Sequence, residues 1–564
     1  MMVNEDRNDW SGLDALVPRP KRVVRGHGEF LVGPGTRLVA DKDTVEAAEA
    51  VRDALSPATG LRLPLTLESG DAVSGGDIAL ELKPALGELG AEGYRLAVEE
   101  RGIKMFAAVP AGLFYATQTL RQLLRPEIYR SAPVQGKRWS VPAVEIEDRP
   151  RFGWRGGMLD VGRHFLPKSV LLRFVDLLAM HKYNVLHLHL TEDQGWRFPS
   201  RRYPRLTEVG SWRRETLRGH RGERGGDGTP HGGFYTADDL NELVAYAARR
   251  FVTIVPEIDL PGHTRAAIAS YPWLGNTGEA LDVKTSWGID THVLNMEEKT
   301  LQFCRDLLNE VMEIFPGQFV HIGGDECPRT EWEQSKAARQ RAADIGLAQG
   351  VDGLQAWFTT QLGGFLAEHG RRLIGWDEII EGGLAPNAAV MSWRSEEGGI
   401  VAAKAGHDVV MTPEQWCYFN YYESDDPREP LAHWSGCIPL ERAYAYEPLP
   451  AALSGEAAAH VLGTQFAIWT EYAPDQATVE YLAFPRACAH AEVAWSKSHE
   501  DWEDFRARVS RHLRRLETLG VNFRPLNGPH PWQEGGTGDR QRPAHRGPAK
   551  APVAGSSGAL DSTG

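Results

Sequence analysis

Phe319-Val-His-Ile-Gly-Gly-Asp-Glu-Cys-Pro328 is a short apolar run that carries two glycines and then two adjacent carboxylates, Asp325 and Glu326. Strands do not end this way for stability. Like charges side by side cost energy, and glycines weaken the strand that holds them. Taken alone, the stretch reads as a strand running into a solvated acidic turn. Its surroundings change that reading.

From Asp148-Arg-Pro150 onward, short apolar strands alternate with amphipathic helices. The strands read as Gly156–Val161, Asn184–Leu190, Val252–Ile258, Phe319–Gly323, Arg372–Gly375, Ala388–Ser392, Asp408–Met411 and Val461–Ile468. Helical spacing marks Ser169–His181, Asp238–Arg250, Leu301–Ile314 and Leu354–His369, with Thr236 and Asp239 spaced as a capping box. Eight strands with intervening helices predict a (β/α)8 barrel. Doubly wound sheets share the alternation, but no Gly-rich dinucleotide fingerprint or phosphate loop supports one.

Before the barrel, Gly93–Val98 and Ile103–Ala108 read as two strands around a turn, and a helix follows Pro110 up to Leu124. The chain is therefore divided into a flexible start (1–15), a small α+β domain (16–147), the barrel (148–526) and a disordered tail (527–564) rich in Gly, Pro, Ser and Ala.

Chemistry in such a barrel sits at the C-terminal ends of the strands. Each strand delivers polar or aromatic groups there. In order they are Asp160 with Arg163-His164; His187 and His189 with Glu192-Asp193; Glu257 and Asp259 with His263; Asp325-Glu326; Trp376-Asp-Glu378; Trp393-Arg394; Tyr418 and Asn420; and Trp469 with Glu471. A carboxylate at one strand end commonly caps the next helix, and one Trp is commonly core. All eight ends together are hard to explain as packing. Flat indole and phenol faces beside directed carboxylates and Arg163 match a sugar ring, which has C–H faces and a rim of hydroxyls.

Two carboxylates suggest glycoside hydrolysis, but an ordinary retaining pair faces itself across about 5 Å. Asp325 and Glu326 are neighbours, and on a regular strand they would point to opposite faces. The strand must turn at or just after Gly324. Neighbours cannot easily flank one bond from both sides. One carboxyl is then expected to protonate the leaving oxygen while the other orients a nucleophile that belongs to the substrate.

The motifs Arg155-Gly-Gly-Met-Leu-Asp-Val-Gly-Arg-His-Phe165, His187-Leu-His-Leu-Thr-Glu-Asp-Gln-Gly-Trp196, Pro256-Glu-Ile-Asp-Leu-Pro-Gly-His263 and His321-Ile-Gly-Gly-Asp-Glu326 occur in this order. In them the chain resembles the family 20 glycoside hydrolases, the β-N-acetylhexosaminidases, from about Leu16 to Arg524. The resemblance implies a glycan substrate with a terminal N-acetylhexosamine, no cofactor and no metal. It also implies substrate-assisted catalysis, an exception to the two-carboxylate scheme. Glu326 would be the general acid and base, with a pKa raised by its surroundings. Asp325 would hold the acetamido N–H, and Tyr418 would donate to the acetamido oxygen. Trp376, Trp393 and Trp469 would wall the pocket. Arg163, Glu471 and Asn420 would take the hydroxyls. His263 with Glu192 or Asp193 would form a polar network behind Glu326. Many family members carry Asp-Asp in place of Glu192-Asp193 and Asp in place of Asn420.

Two other readings compete. His187-x-His189 at a strand end is similar to the metal-binding pair of barrel amidohydrolases, although buried, hydrogen-bonded histidines explain it as well. A sugar-binding barrel without turnover is disfavoured by the presence of both Asp325 and Glu326. Bulk properties bound the rest. The 564 residues are 42% hydrophobic and 24% charged, with a net charge of −14. That charge argues against nucleic acid or an anionic membrane as partner. The basic segment Arg213–Arg221 reads as solvated. No apolar run is long enough to span a bilayer. Five unpatterned cysteines and a start without an apolar core predict a reducing, cytoplasmic location.

Overall fold

The computed structural model describes residues 10–68, 75–220, 225–496 and 501–536. The small domain is one seven-stranded sheet in the order β1-β7-β5-β6-β4-β2-β3. Its strands are β1 (Arg22–Leu31), β2 (Leu38–Ala40), β3 (Leu65–Leu67), β4 (Asp77–Leu82), β5 (Tyr94–Glu99), β6 (Gly102–Ala107) and β7 (Ser140–Asp148). Helices α1 (Val45–Thr59) and α2 (Pro110–Leu123) pack on it, with Leu113, Leu120 and Leu123 fully buried. Pro110 stands in the first turn of α2, where its missing N–H costs nothing.

The expected barrel is present and closed. It runs β8 (Trp154–Asp160), β9 (Val185–His189), β10 (Thr253–Glu257), β11 (Phe319–His321), β12 (Arg372–Trp376), β13 (Ala389–Ser392), β14 (Val409–Met411) and β15 (Val461–Ile468). Neighbours are parallel throughout, and β15 pairs with β8 to close the ring. Helices α3 (Lys168–Met180), α4 (Ala237–Ala248), α5 (Glu298–Ile314), α6 (Leu354–Glu368) and α7 (Glu397–Lys404) return the chain between strands. Thr236 Oγ1 accepts from the Asp239 N–H (3.1 Å), and Asp239 Oδ2 accepts from the Thr236 N–H (3.0 Å), so α4 opens with the expected capping box. Helices α8 (Gln476–Ala483), α9 (Arg486–Trp495) and α10 (Trp502–Thr518) complete the shell.

The two domains meet at the N-terminal end of the barrel strands, and the joint is charged. Asp148, fully buried at the end of β7, accepts from Lys182 Nζ (2.8 Å), Tyr94 Oη (2.7 Å) and Trp495 Nε1 (2.9 Å). Arg155 on β8 forks onto Glu92 of the small domain at 2.8 and 2.6 Å. Glu492 on α9 accepts from Arg508 of α10 at 2.7 Å and from the Arg19 N–H at 2.8 Å. Leaving either partner of such a buried pair alone costs about 3–5 kcal/mol.

Both expected termini shift. Residues 10–15 are packed: Trp10 Nε1 donates to Leu124 O (3.1 Å), Gly12–Ala15 forms a 3-10 turn, and Arg515 donates to Ala15 O. Residues 527–536 also hold to the barrel, since Gln533 Nε2 donates to Phe523 O (2.9 Å) and the Leu431 N–H donates to Gly535 O (3.0 Å). Trp10 and Gln533 supply side-chain contacts that a polar or Gly-rich composition hides. The expectations for residues 1–9 and 537–564 lie outside the described residues.

Candidate active site

Strand β11 ends at His321, two residues short of the sequence reading, and the chain then bends. Gly323 has φ 66° and Gly324 φ 92°, a region closed to most side chains. A Cβ on Gly323 would lie 1.8 Å from Asp259 Oδ1. The bend is held by Gly324 N–H donating to Asp259 Oδ1 (3.2 Å) and by Gln355 Nε2 donating to Gly324 O (2.6 Å). Glu326 follows in left-handed backbone, φ 43°. The required turn is there, and it swings both carboxylates to one side.

They meet a single imidazole. His263 Nε2 stands 3.6 Å from Asp325 Oδ2 and 3.4 Å from Glu326 Oε2. On its other edge, Nδ1–H donates to Glu192 Oε1 at 2.7 Å, while Asp193 Oδ2 is 3.5 Å away. Glu192 is thus the closer partner. Asp193 turns aside to accept from the Arg265 N–H (3.0 Å). The second oxygen of Glu192 lies 2.9 Å from Arg163 Nη2, and Arg163 Nε is 3.6 Å from Glu471 Oε1. One carboxylate therefore joins the Arg163 end of the site to the His263 end.

Charges follow from this geometry. Burial disfavours the His263 imidazolium, but Glu192, Asp193 and Glu326 outweigh it and raise its pKa well above the ordinary value. Burial pushes Asp325 up to about 6, against the pull of His263. For Glu326 the expectation of a raised pKa is corrected. Burial does push it up, but the hydrogen bond and charge of His263, with the charge of Arg163, outweigh burial and leave it below the usual glutamate range.

Aromatic rings close the other sides. Trp469 lies 5.7 Å from Trp376 and 6.1 Å from Tyr418, and the Arg163 guanidinium sits 4.7 Å from the Trp469 ring centroid. Tyr418 and Trp393 are stacked at 5.9 Å with planes 12° apart. Asn420 is buried two residues beyond Tyr418, and its backbone oxygen accepts from the His433 N–H. Three buried oxygens, Asp325 Oδ1, Asn420 Oδ1 and Glu471 Oε2, take no hydrogen bond from the protein. Buried acceptors are nearly always satisfied, so these three mark capacity for a ligand's donors.

The His187/His189 pair is engaged below the pocket. His189 Nδ1 lies 2.6 Å and His187 Nε2 2.9 Å from Glu257 Oε2, and His321 Nδ1 lies 3.0 Å from Glu257 Oε1. His187, Glu257 and His321 offer ligand atoms within 4.8 Å of one another. Trp376 Nε1–H donates to Glu257 Oε1 (2.8 Å), and the Gln465 amide lies 2.9 Å from His187 Nδ1. A cation in this cluster would face those N–H donors.

Sequence reasoning missed several supports. Arg213, read as part of a solvated segment, is buried and donates to Arg163 O (2.6 Å). Asp259 braces the glycine bend, and Glu378 accepts from Trp393 Nε1–H (2.9 Å). Position at a strand end was the only available signal for Asp259 and Glu378.

Comparison with known proteins identifies the family. The family model described as glycosyl hydrolase family 20, catalytic domain, matches residues 152–498, and that for domain 2 of the same family matches residues 14–149. The chain belongs to glycosyl hydrolase family 20. Membership makes it a glycoside hydrolase. The family 20 chain is 41% identical over 528 residues to a β-hexosaminidase of Porphyromonas gingivalis, covering 93% of this chain and 66% of that protein's length. Its fold matches the family 20 β-N-acetylhexosaminidase of Streptomyces coelicolor A3(2) with a TM-score of 0.78 and 32% identity, over 91% of this chain and 98% of the other. It also matches an exo-β-N-acetylglucosaminidase of Vibrio harveyi, solved with N-acetylglucosamine, with a TM-score of 0.79 and 33% identity, over 91% and 79%.

Proposed function

We propose that this protein is an exo-acting, retaining β-N-acetylhexosaminidase that releases terminal β-linked N-acetylglucosamine or N-acetylgalactosamine with the help of the substrate's own acetamido group. The observation that carries the reading is the approach of Asp325 and Glu326 to one nitrogen of His263, at 3.6 and 3.4 Å. Two carboxyls on one side of a pocket cannot attack a bond and protonate it from opposite faces, so the nucleophile comes from the substrate. The names of the Porphyromonas, Streptomyces and Vibrio proteins support the substrate class.

In the first step the acetamido oxygen attacks C1 as the bond from C1 to the leaving oxygen breaks. Glu326 delivers its proton to that oxygen, and an oxazolinium ion forms. Asp325 accepts the acetamido N–H, which orients the group and offsets the positive charge that develops there. Tyr418 donates to the acetamido oxygen, and Trp376, Trp393 and Trp469 enclose the methyl group and the sugar face. Arg163, Glu471 and Asn420 bind hydroxyls. In the second step the Glu326 carboxylate takes a proton from water as the water attacks C1, which reopens the ring with the original configuration. Substrate enclosure further desolvates Glu326 and moves its proton affinity toward that of a general acid. The five cysteines are free thiols, which supports a reducing, cytoplasmic location.

The test offers an aryl 2-acetamido-2-deoxy-β-glucoside and the matching β-glucoside to the purified protein. Hydrolysis of the first alone is expected. Equal rates on both would remove the substrate-assisted mechanism.

A further inference from the structure

Glu378 stands just past the end of β12, with only 13% of its side chain exposed. Its Oε2 accepts the Trp393 indole N–H at 2.9 Å. Its cationic neighbour Arg394 is committed elsewhere. Arg394 Nε donates to Asp377 Oδ1 at 2.6 Å and its Nη1 to Glu381 Oε1 at 3.0 Å, while the approach to Glu378 Oε1 is 3.9 Å. Burial, reinforced by the charges of Asp377 and Asp325, holds the Glu378 carboxyl well above the usual range. A neutral carboxyl can accept from the indole without adding a second negative charge beside Asp325.

The indole it holds is only half-buried, and one face lies against Tyr418. Stacking on one face and the covalent attachment at Cβ still let the far edge of the ring swing across Tyr418. The directed N–H···O bond to Glu378 is a second anchor that opposes this swing.

We propose that Glu378 is the positioning residue that locks Trp393 in place and so sets how large an acyl group on the substrate nitrogen the pocket accepts. The inference rests on the proposed function above, in which Trp393 walls the acetamido methyl. Released from Glu378, the indole can retreat and admit a longer acyl chain.

The experiment compares kcat/KM for aryl 2-acetamido, 2-propionamido and 2-butyramido glucosides in the parent protein and in Glu378→Ala, Glu378→Gln and Glu378→Asp, each checked for folding by thermal melt. In Glu378→Ala the ratio of propionamido to acetamido kcat/KM is expected to rise about tenfold, the scale of one methylene in an apolar pocket. Glu378→Gln, isosteric with the neutral acid, keeps an acceptor for the indole and should hold the ratio within about twofold of the parent. A folded Glu378→Ala with the parent ratio overturns the inference. If Glu378→Ala does not fold, Glu378→Asp decides in the same way, because it withdraws the acceptor by one methylene. A parent protein that hydrolyses plain glucosides as well as acetamido ones sinks the proposed function itself. A parent that demands the acetamido group, with unchanged acyl ratios in the variants, sinks only the role of Glu378.

Discussion

His263 Nε2 lies 3.4 Å from Glu326 Oε2, and both residues hold left-handed backbone, with φ 51° and 43°. Such conformations cost roughly 1–3 kcal/mol each outside glycine, and they persist only where the surroundings impose them. Here they bring a cation to the carboxyl that carries the proton in the proposed mechanism.

That contact fixes a pH response. Asp325 and Glu326 titrate as a pair, and in the proposed mechanism the form with one proton between them is the active one. kcat/KM should fall as pH rises through about 6, where burial has placed Asp325, and fall again at acid pH below the usual glutamate range. His263 lowers both groups, so its removal lets both rise. His263→Asn should move both limbs of the profile to higher pH by about one unit and lower the maximum by about 100-fold. Profiles that superimpose would separate His263 from the proton affinity of the pair.

Asp325 is held at a thermodynamic cost. Its folded pKa of about 6 exceeds the unfolded value of 3.8, so the folded state binds more protons between those values and stability falls as pH rises through that window. Asp325→Asn should therefore stabilise the fold at pH 7 by up to about 3 kcal/mol, with little gain near pH 4. The same variant should lose about 100-fold or more in kcat even for good leaving groups, because the acetamido group is no longer oriented. Melting curves at both pH values and kinetics with an activated aryl substrate check the two halves.

Glu192 joins two parts of the site, at 2.7 Å from His263 and 2.9 Å from Arg163. Glu192→Gln should raise KM and lower kcat together, by about tenfold each, since it loosens the imidazolium and the arginine proposed to bind hydroxyls at once. Asp193→Asn, which touches His263 only at 3.5 Å, should cost less than a third of that loss on a logarithmic scale. Equal losses in the two variants would return the choice between these neighbours to an open state.

Gly323 admits no side chain. Gly323→Ala combines a φ of 66° with a Cβ placed 1.8 Å from Asp259 Oδ1. A loss of about 3 kcal/mol or more in denaturant unfolding is expected, together with lost activity, because the bend that aims both carboxylates must shift.

Much of this was legible in the chain itself. Eight apolar runs each ended in polar groups, and the two glycines before Asp325 announced the bend. Thr236 and Asp239 announced the start of α4. What stayed hidden depends on contacts between distant segments. Glu192 rather than Asp193 faces His263 because a tight hairpin, with Thr191 opposite Trp196 and Glu192 opposite Gly195, turns one neighbour inward. The proton affinity of Glu326 is lowered by an imidazole from the loop that follows another strand, a contact that the resemblance alone did not reveal. Arg213 sits among basic and glycine residues that look solvated, yet it reaches the carbonyl of Arg163.

The charged joint between the small domain and the barrel has its own consequence. Asp148 with Lys182, and Glu92 with Arg155, lie at the base of the strands, away from the rim that carries the candidate site. A barrel cut free at residue 150 would carry stranded cations on a freshly bared face. The two segments that family models match separately are therefore expected to depend on each other for stability. Substitutions that strand one partner of these pairs are expected to cost stability at the base of the strands without touching the rim.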